Sequence, residues 1–260
     1  MDLKIKGRLA LVSGSTAGIG FAIASQLAAE GARVIVNGRS QEAVDHAVAR
    51  IQGGEALGFA GDLTTPEAAQ AVVARFPSIE ILVNNLAIFE PKPCADIPHE
   101  DWRRLFDVNV LSGVRLASLC LPAMKRADWG RIIFISTEST IQIPPEMIHY
   151  GMTKTAQLAV ARGLADSLAG TRITVNSVLP GPTRSRGVGD FVDALAKSDG
   201  KSFDEFEREF FEKVRPTSLI KRFEEPAEIA AMVAYLASPL SSGTTGAALR
   251  VDGGCTKSAF

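Results

Sequence analysis

The sequence predicts an α/β fold, a doubly wound (Rossmann), mostly parallel sheet of about seven strands with helices on both faces. Three observations carry that prediction. Short β-rich runs alternate with longer helical patterns along the whole chain, an order that calls for right-handed crossovers and a parallel sheet. The strand runs hold few charges, as strands covered on both faces should. A glycine cluster, Ser13-Gly14-Ser15-Thr16-Ala17-Gly18-Ile19-Gly20, follows the first strand directly.

Taken in order, Leu9–Val12 reads as a strand and Ile19–Glu30 as a helix, then Arg33–Val36 as a strand and Gln41–Ile51 as a helix. Leu57–Ala60 is a weaker strand, followed by Thr65 as an N-cap with Pro66 at the first helical position. Ile79–Val83 is a strand, and Glu100 to Arg126 a long helix expected to bend near Gly113. Arg131–Ile135 is a continuous apolar strand, His149–Ala169 a helix and Ile173–Val178 a strand. Glu225-Pro226-Ala227-Glu228 opens a helix to Ala237, and Ala247–Val251 is the last strand. Residues 183–216 break the rhythm. Their charge-dense stretch Lys197–Arg215 carries Phe203, Phe206, Phe210 and Val214 at helical spacing, an apolar stripe that either packs on the body or forms a substrate lid.

The 260 residues allow one or two domains. Without a composition break or a linker, the expectation is one domain spanning 1–260 with a lid insertion at 183–216. Lys+Arg of 28 against Asp+Glu of 29 removes the usual electrostatic case for nucleic acid or an anionic membrane surface. Cys94, Cys120 and Cys255 lie far apart and form no CxxC pair, and His46, His99 and His149 add no metal-ligand spacing. The longest uncharged stretch, Ile229 to Leu249, is broken by Pro239, Gly243 and Gly246 and is not read as a membrane span. A cytoplasmic globular protein is expected, with no metal site.

A strand–glycine turn–helix corner aims backbone N–H groups and the positive helix end at one point, which suits a phosphate or pyrophosphate. Here the spacing is GxxxGxG, not GxGxxG. The second strand ends in Asn37-Gly38-Arg39-Ser40. In doubly wound folds an acid near this point holds a ribose 2′-OH, and an arginine accommodates a 2′-phosphate. With the acid missing and Arg39 present, NADP(H) is favoured and NAD(H) stays open; alternatively Arg39 is a surface residue and Ser40 a helix N-cap. Further on, Tyr150 and Lys154 stand four apart and share a helix face. An ammonium beside a phenol favours the phenolate, so the pair suits proton transfer.

With these residues in place, the chain resembles the short-chain dehydrogenase/reductase family, in its compact single-domain branch, from about Leu3 to Gly254. The resemblance rests on Gly14, Gly18 and Gly20, Asp62 after the third strand, Asn84-Asn85 after the fourth, Asn109 in the long helix, the Tyr150/Lys154 pair and Pro180-Gly181 after the sixth strand. It implies an NAD(P)-dependent oxidoreductase acting on a small carbonyl or alcohol substrate, and a homo-oligomer, tetramer or dimer, with Arg250-Val251-Asp252-Gly253-Gly254 near a subunit interface. Tyr150 is implied as general acid/base, Lys154 as its activator and ribose ligand, and Asn109 as holder of a relay water to Lys154. Gly14, Ser15, Thr16, Gly18, Ile19, Gly20, Arg39 and Ser40 are implied around the cofactor phosphates and adenosine, Asp62 and Leu63 at adenine, Asn85 and Ala87 at its ribose side, and Pro180, Gly181 and Thr183 at the nicotinamide.

The sequence departs from the family pattern twice. The family's serine thirteen residues before the tyrosine is Thr137 here, flanked by Ser136 and Ser139, so the carbonyl-polarising hydroxyl is Thr137 with its neighbours as alternatives. Asn84-Asn85-Leu86-Ala87 stands where the family usually has Asn-Asn-Ala-Gly. Glu138, Gln142, Pro144, Pro145 and Met147 are candidates to shape the substrate pocket. The expected activity is NADP(H)-dependent interconversion of a carbonyl and a secondary alcohol. The alternatives are an NAD-dependent sugar or polyol dehydrogenase and a nucleotide-sensing protein that kept the fold without the chemistry.

Overall fold

Seven short apolar segments form the strands: Leu9–Val12 (β1), Arg33–Gly38 (β2), Ala56–Ala60 (β3), Ile81–Asn84 (β4), Gly130–Ile135 (β5), Ile173–Pro180 (β6) and Ala248–Val251 (β7). In the computed structural model, which describes residues 1–185 and 202–259, they pair side by side as one parallel sheet in the order β3-β2-β1-β4-β5-β6-β7. The order reverses between β1 and β4, so the loops leaving those strands diverge and open a crevice at the carboxyl edge.

The period-2 alternation of each strand divides its side chains between two cores. Ala10, Val12, Val34, Ile81, Ile133 and Val178 face one side, with Ile23 and Leu27 of Gly18–Ala29 (α1), Ala47 of Gln41–Arg50 (α2) and Ile229 and Val233 of Pro226–Ala237 (α8). Leu9, Leu11, Ile35, Leu82, Ile132 and Val175 face the other, beneath Val72 of Pro66–Arg75 (α3), Leu116 and Cys120 of Ser112–Ala127 (α5) and Ala161 of Ile148–Ser167 (α6). His99–Phe106 (α4) precedes α5, and Phe203–Glu209 (α7) lies beyond the sheet edge.

Near Gly113, where the sequence predicts a bend, the long helix carries a π turn, Asp107–Leu111, joining α4 to α5. Gly113 itself serves packing: a Cβ there would stand 2.9 Å from the Phe134 ring. The stretch His99–Ala127 is long and apolar enough to cross a membrane by length and composition alone. In the fold it buries Leu105, Val110, Leu116 and Met124.

The segment after β6 is described from Ser202. Ser202 and Glu205 form a reciprocal capping box that starts α7, and a π turn, Phe210–Val214, follows. The predicted stripe therefore folds as a helix, while Phe191 and the rest of 186–201 lie outside the described residues.

Thr65 caps α3 as its sequence position predicts, its hydroxyl accepting a hydrogen bond from Ala68 N at 3.3 Å. Replacing Thr65 with Ala leaves that amide without its cap and is expected to lower stability by about 1 kcal/mol in urea unfolding.

Candidate active site

The β1–α1 corner is shaped by glycine where the backbone requires it. Gly14 and Gly18 have φ of 61° and 57°, a left-handed region that side chains disfavour. At Gly20 a Cβ would stand 2.4 Å from the carbonyl oxygen of Gly14 and 2.5 Å from Asn85 Nδ2. Helix α1 starts at Gly18 after Ala17, with no side-chain cap on its first amides. Uncapped donors at the positive end of a helix fit an anion such as a dinucleotide pyrophosphate.

Two asparagines hold this corner. Asn85 Nδ2 donates to the carbonyls of Ser13 and Gly14 at 3.0 and 3.1 Å, and its N–H donates to Ser13 Oγ. Asn37 is buried. Its Oδ1 accepts from Gly14 N, and its Nδ2 donates to the carbonyls of Phe59 and Gly61. One side chain thus ties the glycine turn to β3. Asn37 was not predicted as a site residue, although a polar residue inside an apolar strand is a visible signal. Ser15 Oγ is engaged within the fold, donating to Val12 O and accepting from Asn37 N.

The remaining cofactor-side residues separate by exposure. Arg39 is exposed at the end of β2, and among the described residues no hydrogen bond or ion pair holds it. The preceding Gly38 lies against Thr16, where a Cβ would meet Thr16 Cγ2 at 2.5 Å. Ser40 caps α2, accepting from Ala43 N. Asp62 is exposed and accepts from Thr64, whereas the Leu63 side chain is buried in the core. Leu86 packs over Gly14, at 3.0 Å from the position of a Cβ.

On the other side of the crevice, a cavity of about 550 Å³ brings together Ile19, Asn85, Ala87, Thr137, Ser139, Tyr150, Lys154, Pro180, Gly181 and Thr183. Its far wall is Phe89, Phe206, Phe210 and Phe223. Of the predicted stripe, Phe203 and Phe210 pack against Phe223, and Phe206, Phe210 and Val214 line the cavity; Phe211 beside them is buried against Phe223.

Lys154 is buried, with Nζ 5.8 Å from the Tyr150 ring centroid. Nζ donates to Ile135 O at 2.8 Å and to Gln157 Oε1 at 3.3 Å. Burial lowers its pKa to about 7. Burial also raises the Tyr150 phenol above its ordinary range, the Glu138 charge adds to that, and a hydrogen bond with Thr137 opposes it.

The three hydroxyls before Tyr150 have different partners. Ser136 Oγ donates to the main-chain carbonyl of Lys154 at 3.0 Å. Thr137 Oγ1 donates to Glu138 Oε2 and accepts from Ser139 N. Ser139 Oγ has no hydrogen-bond partner among the described residues and lines the cavity. Glu138 is buried, and its other oxygen meets Arg215 Nε at 3.4 Å. The Asn109 side chain does not reach Lys154: it exchanges hydrogen bonds with Ile88 N and O, and its Nδ2 donates to Thr153 Oγ1.

Glu224 was not predicted by sequence either. It is buried, with Oε2 accepting the Gly181 N–H at 3.1 Å and Oε1 without a hydrogen-bond partner among the described residues. Burial raises its pKa to about 8; the Gly181 hydrogen bond acts against this, and the Asp252 charge adds to it.

The family model described as enoyl-(acyl carrier protein) reductase matches residues 14–256. The Bacillus subtilis "uncharacterized oxidoreductase YvaG" is 47% identical over 264 residues, covering 100% of both chains. L-sorbose reductase from Gluconobacter frateurii, solved with NADPH and L-sorbose, superposes with a TM-score of 0.93 at 29% identity, covering 99% of this chain and 100% of that one. A 7α-hydroxysteroid dehydrogenase solved with NADH and a 7-oxo bile acid gives 0.85 at 30% identity, covering 100% and 98%.

Glu224 makes a pH-dependent contribution to stability. Between about 4.5 and 8 the folded state keeps a proton that the unfolded state has released, so stability falls as pH rises through that window. Glu224→Gln keeps an acceptor for Gly181 and is expected to flatten that decline in thermal melts; an unchanged slope contradicts the assignment.

Proposed function

Since the chain belongs to the short-chain dehydrogenase/reductase family and is an NAD(P)-dependent oxidoreductase, we propose that it interconverts a carbonyl and a secondary alcohol with NADP(H), with Tyr150 as general acid/base. The observation that carries this reading is the single cavity joining Tyr150, Lys154 and the Thr137–Ser139 hydroxyls to the Pro180-Gly181 turn.

The bound nicotinamide supplies or accepts the hydride. Gly14, Gly18, Ile19 and Gly20 hold the pyrophosphate on the helix amides, and Pro180, Gly181 and Thr183 position the nicotinamide end. Asn85 acts by fixing the glycine turn, and Asp62, Leu63 and Ala87 border the adenosine side. In the reductive direction, Tyr150 donates its proton to the substrate oxygen. Lys154, as an ammonium beside the ring, favours the phenolate left behind. Thr137 reaches the substrate oxygen by turning its O–H away from Glu138, whereas Ser139 needs no such exchange. Alanine at 137 and at 139, tested singly, separates the two; the larger fall in kcat marks the acting hydroxyl. The phenylalanine wall gives the substrate an apolar surface, and Glu138 with Arg215 gives it a polar one.

NADP(H) is favoured by the exposed Arg39, which follows the Gly38 packed on Thr16 and has no hydrogen bond or ion pair among the described residues, at the place where a 2′-phosphate is bound in doubly wound folds. The NADPH-complexed sorbose reductase supports this choice. The NADH-complexed steroid dehydrogenase favours the second reading, NAD(H)-dependent oxidation of an alcohol such as a sugar or polyol. The proposal includes a homo-oligomer in the cytoplasm. The free cysteines suit a reducing compartment, and exposed Leu219, Tyr235 and Leu240 offer apolar surface for assembly.

Tyr150→Phe is expected to abolish turnover in a ketone panel while NADPH still binds; retained turnover contradicts the assignment. Arg39→Ala is expected to weaken NADPH binding about 10- to 100-fold, the effect of losing charge-assisted hydrogen bonds, and to leave NADH binding unchanged. Equal loss for both cofactors removes the case for a 2′-phosphate site.

A further inference from the structure

The relay implied by the family resemblance runs from Asn109 through a water to Lys154. In this chain a side chain spans that path. Gln157 is buried, its Nε2 donating to the main-chain carbonyl of Asn109 while its Oε1 accepts from Lys154 Nζ at 3.3 Å. Two local features bring the groups together. Gln157 lies three residues after Lys154, so both stand on one face of α6. Asn109 lies in the π turn, where the α-helical hydrogen-bond register is broken.

We propose that Gln157 is a positioning residue for Lys154: its amide locks the lysine ammonium to the Asn109 carbonyl and keeps it charged beside Tyr150. The assignment rests on the Tyr150/Lys154 reading above. A glutamine suits the task because one end donates and the other accepts. An amide neither releases nor takes up a proton readily at neutral pH, so this link is an anchor and not a proton wire. With Ile135 O as the second acceptor, two of the three ammonium protons are held by the protein and one is left for a ligand. Among the described residues, the titratable group facing Lys154 is the Tyr150 phenol, and the Glu138 carboxylate acts on that phenol. No described carboxylate is hydrogen-bonded to or ion-paired with the ammonium, whose acceptors Ile135 O and Gln157 Oε1 are neutral.

The test compares Gln157→Met, which keeps the shape and loses both hydrogen bonds, with Gln157→Glu, which keeps an acceptor toward Lys154 and adds a charge. Two profiles are measured against pH: NADPH affinity by fluorescence without turnover, and kcat. In the Met variant the alkaline fall of both profiles is expected about one pH unit lower than in wild type, about a tenfold loss on that limb. In the Glu variant the fall returns to the wild-type position or higher. A Met variant with wild-type profiles overturns the proposal, as does a uniform loss in both variants with no displacement along the pH axis. If the Met variant does not fold, the Glu variant still decides, because a limb lowered below the wild-type position contradicts the proposal. Tyr150→Phe serves as the control. Its loss of turnover together with wild-type Gln157→Met profiles rejects only the role of Gln157, whereas turnover in Tyr150→Phe rejects the Tyr/Lys reading itself.

Discussion

A lysine ammonium with almost no solvent exposure sets the constraint around which this end of the sheet is built. Taking a charge out of water costs several kcal/mol unless acceptors replace the lost hydration. The acceptors are the carbonyl at the end of β5 and the Gln157 amide. For these to meet Lys154, α6 must lie at a fixed height against β5. Ser136 Oγ donating to the Lys154 carbonyl, and Thr155 Oγ1 donating to Thr140 O, set that height from the neighbouring loop. The same placement leaves Tyr150 and Ser139 on the wall of one cavity.

The second constraint is the divergence of β1 and β4. Parallel strands end at one edge, and the reversal of strand order opens that edge into a crevice. The corner is held open by short polar side chains rather than by core packing. Asn37 joins β1, β2 and β3, and Asn85 holds the turn of Gly14. Both act on backbone groups that would otherwise be left unsatisfied where the sheet stops. That leaves the first amides of α1 without a side-chain cap at this corner, as the proposed dinucleotide site requires.

Much of this was legible in the sequence because it is local. Strand alternation, the Thr65 cap, the Pro66 start of α3 and the Gly14–Gly20 turn depend on neighbours within a few residues. The Tyr150/Lys154 pair is one helical turn long, and it falls in the cavity with Thr137 as expected. What was not legible depends on contacts far along the chain. Glu138 meets Arg215 across 77 residues, Glu224 meets Gly181 across 43, and Gln157 meets Asn109 across 48. None of these has a periodicity or a motif. At Gly113 the missing side chain makes room for Phe134, a distant contact with no signature in the sequence. The irregularity near it is a π turn, Asp107–Leu111, which no residue type announces.

The chemistry follows from these placements. Burial and the carboxylate of Glu138 work against ionisation of the Tyr150 phenol, a hydrogen bond with Thr137 works for it, and Glu138 also draws the Thr137 hydroxyl to itself. Under the proposed function, the substrate oxygen is expected between that phenol and a hydroxyl of the 137–139 loop. The central claim is that hydride moves between the cofactor and a carbonyl carbon at this point. Its most direct test is reduction with NADPH deuterated at the transferable C4 position, followed by mass and NMR analysis of the alcohol. The account predicts one deuterium on the carbinol carbon and a primary isotope effect on turnover. Alcohol without deuterium at that carbon would contradict it.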